Sequence, residues 1–579
     1  MHLKFGNYLL SSWIKYAILL HYLRKKLNGV MEIASDNLKT SVLDHHGLVA
    51  AVCKDLDIAN KIDKRLYKKS DQRRIVSAGT GVVALILNGL GFTNRRLYLT
   101  PQFFASKPVE PLLGPGITAE QLDDHALGKM LDEVSDYGSS QLFGELAFEI
   151  ALENDLLGSL AHLDSTTLSV EGKYDRDDEA EVIKLTYGHS KDHRPDLKQA
   201  VMSLIVTGAS SMPIWMEPQN GNSSDKTAFH ETIKKVRAFQ KQLKSCPEFK
   251  WVADSALYTK DKLLAQNEYL WLSRVPETIT EAKNLVEKKD TDIPWVLCAN
   301  GYKMSSFSSN YGDITQRWVL IFSEKAYHRE KETFERKLVK QDEALEKALW
   351  HLGNEQFSCE IDAEKSVKQL VKKYPYHCVN TQIEPVLKHK KAGRPAAGAQ
   401  GEQVGYRVLC KITHNKDTIE TYLNRKGRFI LATNDLDADA FPDEQMLQEY
   451  KQQQNVERGF RFLKDPWFMV DSVFLKSPKR IEALMMIMTL CLMIYNVAQY
   501  RLRKALVESE QTLPNQINKP IQNPTIRWIF QIMEGISVVH FYETHLSEPV
   551  KTFIANLTDL RIKIINLFGR TAQKIYGIA

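Results

Sequence analysis

Residues 450–464 read YKQQQNVERGFRFLK. On a helix turning about 100° per residue, with Tyr450 at zero, Gln453 falls at about −60°, Glu457 at about −20° and Lys464 at about −40°. Tyr450, Gln453, Glu457 and Lys464 would then share one narrow face, with Val456, Phe460 and Leu463 packing beside it. One carboxylate, Glu457, stands between a phenol and a cation. Pro442, Asp443 and Glu444 form a favourable helix start, and Pro466 stops the helix just past Lys464. Taken alone, the stretch also fits an amphipathic helix with a solvated edge. What decides its meaning is whether the rest of the chain supplies more carboxylates.

Upstream, residues 159–170 (SLAHLDSTTLSV) read as a strand ending in a polar turn. A second strand is expected at 181–187 around Val182, Ile183 and Leu185. A third begins at 200–206 and resumes at Pro213. Three strands with short turns make an antiparallel meander. A helix at 226–243, a strand at 249–254 (FKWVAD), a helix at 260–266 and a strand at 269–275 (YLWLSRV) follow. Strand-strand-strand-helix-strand-helix-strand is the order of a ribonuclease-H-like α/β core.

The periodicity then breaks. Strand-like runs at 295–305 and 316–323, charged helical stretches at 326–352 and 363–373, and a Gly/Pro/Ala segment at 391–398 mark an insertion. The expected organisation has six parts. They are a leader (1–35) that translation from Met31 would largely omit, an all-α N-terminal DNA-binding domain (36–157), and a first part of the core (158–275). An inserted β-rich/helical domain (276–426), a second part of the core with the catalytic helix (427–510) and a C-terminal helical region (511–579) complete it. The basic run 64–74 (KRLYKKSDQRR) inclines the N-terminal domain toward DNA. For the basic loop 388–394, a solvated linker and a DNA contact both remain open.

At about 150 residues per domain, 579 residues hold three or four domains. With 43% hydrophobic and 26% charged residues, the composition is that of a globular protein, and a net charge of +6 is compatible with a polyanionic partner. Seven scattered cysteines without CxxC spacing argue against a zinc site or disulfide framework and fit a reducing cytoplasm. Residues 8–23 are apolar but contain Lys15 and lack a cleavage site. The apolar run 484–498 is shorter than the roughly 20 residues a bilayer span needs, so it reads as a core helix, and no membrane domain is expected.

Asp164 ends the first strand, Asp254 ends the fourth and Glu457 lies on the later helix. In a ribonuclease-H-like sheet those strands are neighbours and the helix packs across them, so the three carboxylates converge. Hard oxygen ligands of this kind suit two Mg²⁺ ions, with Mn²⁺ able to substitute. Two ions about 4 Å apart activate a water or 3′-hydroxyl and stabilise the leaving oxygen.

These residues resemble bacterial insertion-sequence DDE transposases of the IS-four-like group, over most of the chain from Met31 onward. That group carries a Y-(2)-R-(3)-E-(6)-K signature, and Tyr450, Glu457 and Lys464 match it, with Gln453 where the signature has Arg. LDSTT around Asp164, ADSALY around Asp254 and GNSSD at 221–225 are also family-like. GHSKDHRPDLKQ at 188–199 and LDHHGLVAAV at 43–52 are similar to one subgroup with a helical N-terminal domain. The resemblance implies that Asp164, Asp254 and Glu457 hold the metals and that Tyr450 and Lys464 hold DNA near the scissile phosphate. Gln453, Arg461, Lys191, His193 and Arg194 are further candidate DNA contacts; a plain polar turn competes for the last three. The implied partners are the element's double-stranded terminal inverted repeats and target DNA, bound by a homodimer in a synaptic complex, in a cytoplasmic, nucleoid-associated setting. The implied reaction is hydrolytic nicking followed by strand transfer. Two alternatives are a catalytically silent DNA-binding regulator or decayed transposase, and an Asp-nucleophile phosphatase. The latter needs a second Asp where Thr166 stands.

Overall fold

A computed structural model describes residues 38–66, 74–92, 99–170, 174, 182–243, 246–264, 268–388, 401–464, 477–542 and 549–579. The expected leader, most of the 64–74 basic run and all but Lys388 of the 388–394 loop lie outside them. The chain forms two compact units. Unit one is Met1–Leu157, Thr166–Ser223 and Arg458–Ala579; unit two is Gly158–Ser165 and Ser224–Glu457.

In unit one, helices His46–Asp55, Ala78–Gly89, Asp124–Tyr137 and Ser139–Glu153 pack on the long helix Pro478–Glu508. Ser77 and Asp123 start two of them, each accepting a hydrogen bond from a backbone N–H three residues on. Gly79 lets Ala78–Gly89 cross Ile58–Leu66 closely, because a Cβ there would stand 2.0 Å from the Ala59 carbonyl oxygen. Pro478–Glu508 is long and apolar enough to cross a bilayer, yet 83% of its most apolar window is buried inside the protein. It is the core helix that the run 484–498 announced, extended at both ends by polar residues.

Two regions read as wholly helical each contribute strands. Leu38–Val42 pairs antiparallel with Ser537–Phe541, which pairs with Lys551–Ala555. A five-residue strand whose partner lies some five hundred positions away leaves no periodic signal in a helical neighbourhood. The C-terminal region therefore mixes strands with helices Ile526–Ile532, Asp559–Leu567 and Arg570–Ile575.

The large sheet has nine strands: β1 (Leu160–Val170), β2 (Lys198–Thr207), β3 (Met212–Gln219), β4 (Lys250–Ala253), β5 (Trp271–Arg274), β6 (Val296–Cys298), β7 (Tyr302–Ser309), β8 (Gln316–Ser323) and β9 (Arg428–Thr433). Strand β1 runs through both units. Unit one has the order β3-β2-β1, and unit two has β1-β4-β5-β9-β8-β7-β6. The pairs β1–β4 and β4–β5 are parallel, whereas β9 is antiparallel to both β5 and β8. Helix Asp225–Gln240 precedes β4, and the short helix Lys260–Leu263 lies between β4 and β5.

Over its described residues, 182–187, the strand expected at 181–187 does not form. Thr186 makes a single bridge to Gln199, while the N–H groups of Ile183 and Lys184 donate to the side chains of Glu482 and Asn220. Side chains thus satisfy the donors that a ladder would have used. Ile183 and Leu185 are buried all the same, which explains their strand-like alternation. The meander is completed instead by β2 and β3.

The segment 276–426 contributes both to the large sheet and to a two-stranded sheet of its own. Strands β6, β7 and β8 continue the large sheet, and β9 returns between β8 and β5. The segment also holds helix Thr280–Val286, a 30-residue helix, Glu324–Gly353, helix Glu360–Val371, a hairpin of His377–Lys388 with Glu402–His414, and helix Lys416–Asn424.

Candidate active site

Three carboxylates meet in unit two because the sheet register brings them there. Leu163 of β1 is the parallel partner of Ala253 of β4. Paired residues on neighbouring strands face the same way, so Asp164 and Asp254, one residue further on, project to a common face. The Ser165 N–H donates to Asp164 Oδ1 at 2.7 Å. Asp254 caps its own turn, its Oδ1 accepting from Ala256 N–H at 2.9 Å, and Ser273 Oγ on β5 donates to the Asp254 carbonyl at 2.7 Å. Both aspartates are half-buried. Glu457 lies exposed in the first turn of helix Gln454–Leu463, where the helix dipole favours a negative charge.

Tyr450 reports on all three. Burial pushes its phenol up to about 12, with Asp254, Glu457 and Asp164 pushing in the same direction and Arg274 opposing them. The ring packs against the cluster formed by Val252, Leu272, Leu431, Phe441 and Met446. A neutral phenol thus sits among three carboxylates, with one guanidinium nearby. The three carboxylates do not crowd into a single cage, for among the described residues only Asp342, His377 and His414 bring their ligand atoms within 4.8 Å of one another.

The helix expected to run unbroken to Lys464 is two helices, Asp443–Gln452 and Gln454–Leu463, broken at Gln453. This corrects the placement of Gln453 on a DNA-facing surface. Its side chain is buried, Nε2 donates to the Leu163 carbonyl at 3.3 Å, and Oε1 has no hydrogen-bond partner. Gln453 thereby ties the break in the helix to the residue before Asp164. Val456, Phe460 and Leu463 are buried, as their spacing implies.

The other expected DNA contacts lie in unit one. Lys464 Nζ pairs with both oxygens of Asp192, at 2.7 and 2.8 Å. Asp192 belongs to an exposed turn in which Lys191 N–H donates to Thr167 Oγ1, His193 has φ of 58° and Arg194 pairs with Asp196 at 2.8 Å. Arg461 is exposed on its helix. Gly459 packs against Leu492, whose Cδ2 would stand 3.0 Å from an added Cβ.

Residues 157–494, more than half of the sequence, match the family model of the transposase DDE domain. The chain belongs to the DDE transposase family. It is therefore an enzyme that acts on DNA, and membership implies the use of divalent metal ions. Residues 38–148 match a domain of unknown function (DUF4277). The cryo-EM structure of a piggyBac transposase synaptic complex with hairpin DNA is similar at a TM-score of 0.34 and 10% identity, covering 86% of this chain and 82% of that one. No curated protein matches the chain.

Two features of this DDE chain escape a reading of its sequence. Arg274, at the end of β5, brings a positive charge to Tyr450, and the only trace of this is its position at a strand end in WLSR. The group Asp342, His377 and His414 gathers residues from three separate elements and matches no motif.

Proposed function

We propose that this chain is an insertion-sequence transposase of the IS-four-like group with a ribonuclease-H-like core. In this reading Asp164, in the middle of β1, Asp254, just past the end of β4, and Glu457 hold two Mg²⁺ ions, with Mn²⁺ as a substitute. The observation that carries the reading is the register that sets Asp164 beside Asp254, with Glu457 on the helix that follows the Gln453–Leu163 hydrogen bond. The parallel run β1-β4-β5 within unit two and the antiparallel pair β2-β3 within unit one each support the fold assignment. The donor set fits the ions: all three are hard oxygens, and their spread beyond a single cage suits sharing between two ions about 4 Å apart.

Ions held there supply an activated water or 3′-hydroxyl and charge stabilisation at the phosphate. The chain's own residues do the rest. The Ser165 and Ala256 N–H groups and the Ser273 hydroxyl hold the two aspartates in place. Tyr450, neutral well above physiological pH, donates a hydrogen bond to a phosphate oxygen. Lys464 exchanges Asp192 for a DNA phosphate, a role suited to a compact ammonium. Lys191, His193, Arg194 and Arg461 add positive charge along the bound strand, and Gln453 positions rather than binds. The partners are the element's inverted terminal repeats and target DNA, bound by a homodimer in the cytoplasm.

The test is nicking of a supercoiled plasmid carrying the element's ends. Cleavage that requires Mg²⁺ and is lost in Asp164→Asn, Asp254→Asn and Glu457→Gln is expected. Specific end binding without any cleavage by the unaltered chain would instead identify a silent DNA-binding regulator.

A further inference from the structure

Within unit two, three ligand-type side chains meet far along the sequence from Asp164 and Asp254. Asp342 lies on helix Glu324–Gly353, His377 opens one strand of the long hairpin and His414 closes the other. The two histidines are direct cross-strand partners, so their rings emerge side by side. Both Nε2 atoms aim at one oxygen, standing 2.7 Å (His377) and 2.9 Å (His414) from Asp342 Oδ1. The rings lie edge to face with centroids 5.6 Å apart. The His377 side chain is fully buried, whereas His414 is 44% exposed.

We propose that Asp342, His377 and His414 form a binding site for zinc or a similar borderline divalent cation, pinning the hairpin base to the long helix. Two imidazole nitrogens and one carboxylate oxygen are a zinc-type donor set, whereas Mg²⁺ favours oxygen ligands and retained water. Three protein ligands beside an exposed histidine leave a fourth position open to water. Around a tetrahedral zinc with bonds of about 2.0–2.1 Å, ligand atoms sit about 3.3 Å apart, so the carboxylate has to give by about half an ångström. Asp342 is on a helix surface and its side chain is 29% exposed, which leaves it room to do so.

The competing arrangement is the pair of imidazole–carboxylate contacts alone, with a proton on each Nε2. His377 Nδ1 is buried and has no hydrogen-bond partner. Binding a metal through Nε2 moves the ring proton to Nδ1 and leaves a buried, unpaired N–H. That cost is small beside the gain from an imidazole–zinc bond. The seven cysteines take no part, which is why a reading of their spacing missed the site.

The inference is independent of the roles given to Asp164, Asp254 and Glu457, and the test keeps the two apart. Full-length protein carrying Asp164→Ala and Asp254→Ala is titrated calorimetrically with Zn²⁺ alone, and its melting temperature is read with and without the ion. One zinc per chain and a raised melting temperature are expected. Adding His414→Ala, an exposed position, is expected to weaken binding by at least about 10-fold and to abolish the thermal shift, and Asp342→Asn to do likewise. If the double variant does not fold, the same difference is read between the unaltered chain and its single His414→Ala variant. Absence of saturable zinc binding, or binding unchanged by His414→Ala, overturns the proposal.

Discussion

Asp164 inside β1 and Asp254 just past β4, on one side, and the helical stretch around Gln453 and Glu457, on the other, all feed the candidate site, but the fold controls them differently. Each aspartate follows a residue paired in a parallel ladder, so backbone register alone aligns the two. The helical stretch has no such ladder. A hydrogen bond from Gln453 to the Leu163 carbonyl accompanies a break between two helices, and the break swings Gln453 inward. Sheet register transmits a sequence position faithfully into space. A helix keeps its periodicity only until a tertiary contact competes with it.

The largest effect that sharpens this contrast is expected at a strand end. Asp254→Asn keeps the side-chain shape and the Ala256 hydrogen bond but removes a charge. Cleavage should fall by at least about 100-fold, more than the loss of a residue that merely supports a metal ligand, while the melting temperature stays put. Plasmid nicking and calorimetry on the same preparation check this. Unfolding of the variant would mean that the aspartate acts as a structural cap.

At the helix break the expected pattern is reversed. Gln453→Arg restores the signature residue of the resembled group, yet it forces a guanidinium into a buried site beside Leu163. Stability should drop by about 2–4 kcal/mol in chemical denaturation. Tighter DNA binding with unchanged stability would break the contrast and return Gln453 to the DNA-facing surface.

These two positions also mark how far the sequence could be read. Asp254 was legible as a strand end because the polar turn after β4 has local signals, whereas the polar turn expected at Asp164 is instead the middle of β1, which runs on with buried Ser165, Thr166 and Thr167 to Val170. The alternation of Val182, Ile183 and Leu185 was legible as burial but not as a strand, because Glu482 and Asn220 take up the backbone donors. The role of Gln453 was hidden, since nothing local distinguishes a glutamine facing solvent from one bonded to a distant carbonyl. The same holds for Leu38–Val42, whose partner strand lies near the other end of the sequence.

Lys464 should give a smaller effect. Its ammonium is held by Asp192 until a phosphate competes, so the net gain on binding DNA is that of one exchanged contact. Lys464→Ala is expected to weaken end binding only several-fold and to make its salt dependence shallower by about one unit. Titrations at a series of salt concentrations read the slope directly.

Tyr450 should give the smallest effect. Its phenol is pushed up to about 12 in the folded chain, against a value of about 10 when unfolded. Between those values the native state holds a proton that the unfolded chain has lost, so stability falls as pH rises through this window. Tyr450→Phe is expected to remove that part of the alkaline slope and leave stability at neutral pH little changed. Melting temperatures across the alkaline range test it.

Whether Asp164, Asp254 and Glu457 form a divalent-cation site is tested most directly by Mn²⁺ binding, followed by paramagnetic resonance. The chain used should carry His414→Ala, so that the hairpin histidines contribute nothing. Saturable Mn²⁺ binding that is lost in the added Asp164→Asn and Asp254→Asn variants is the expected result. Binding that persists unchanged in both variants would contradict it.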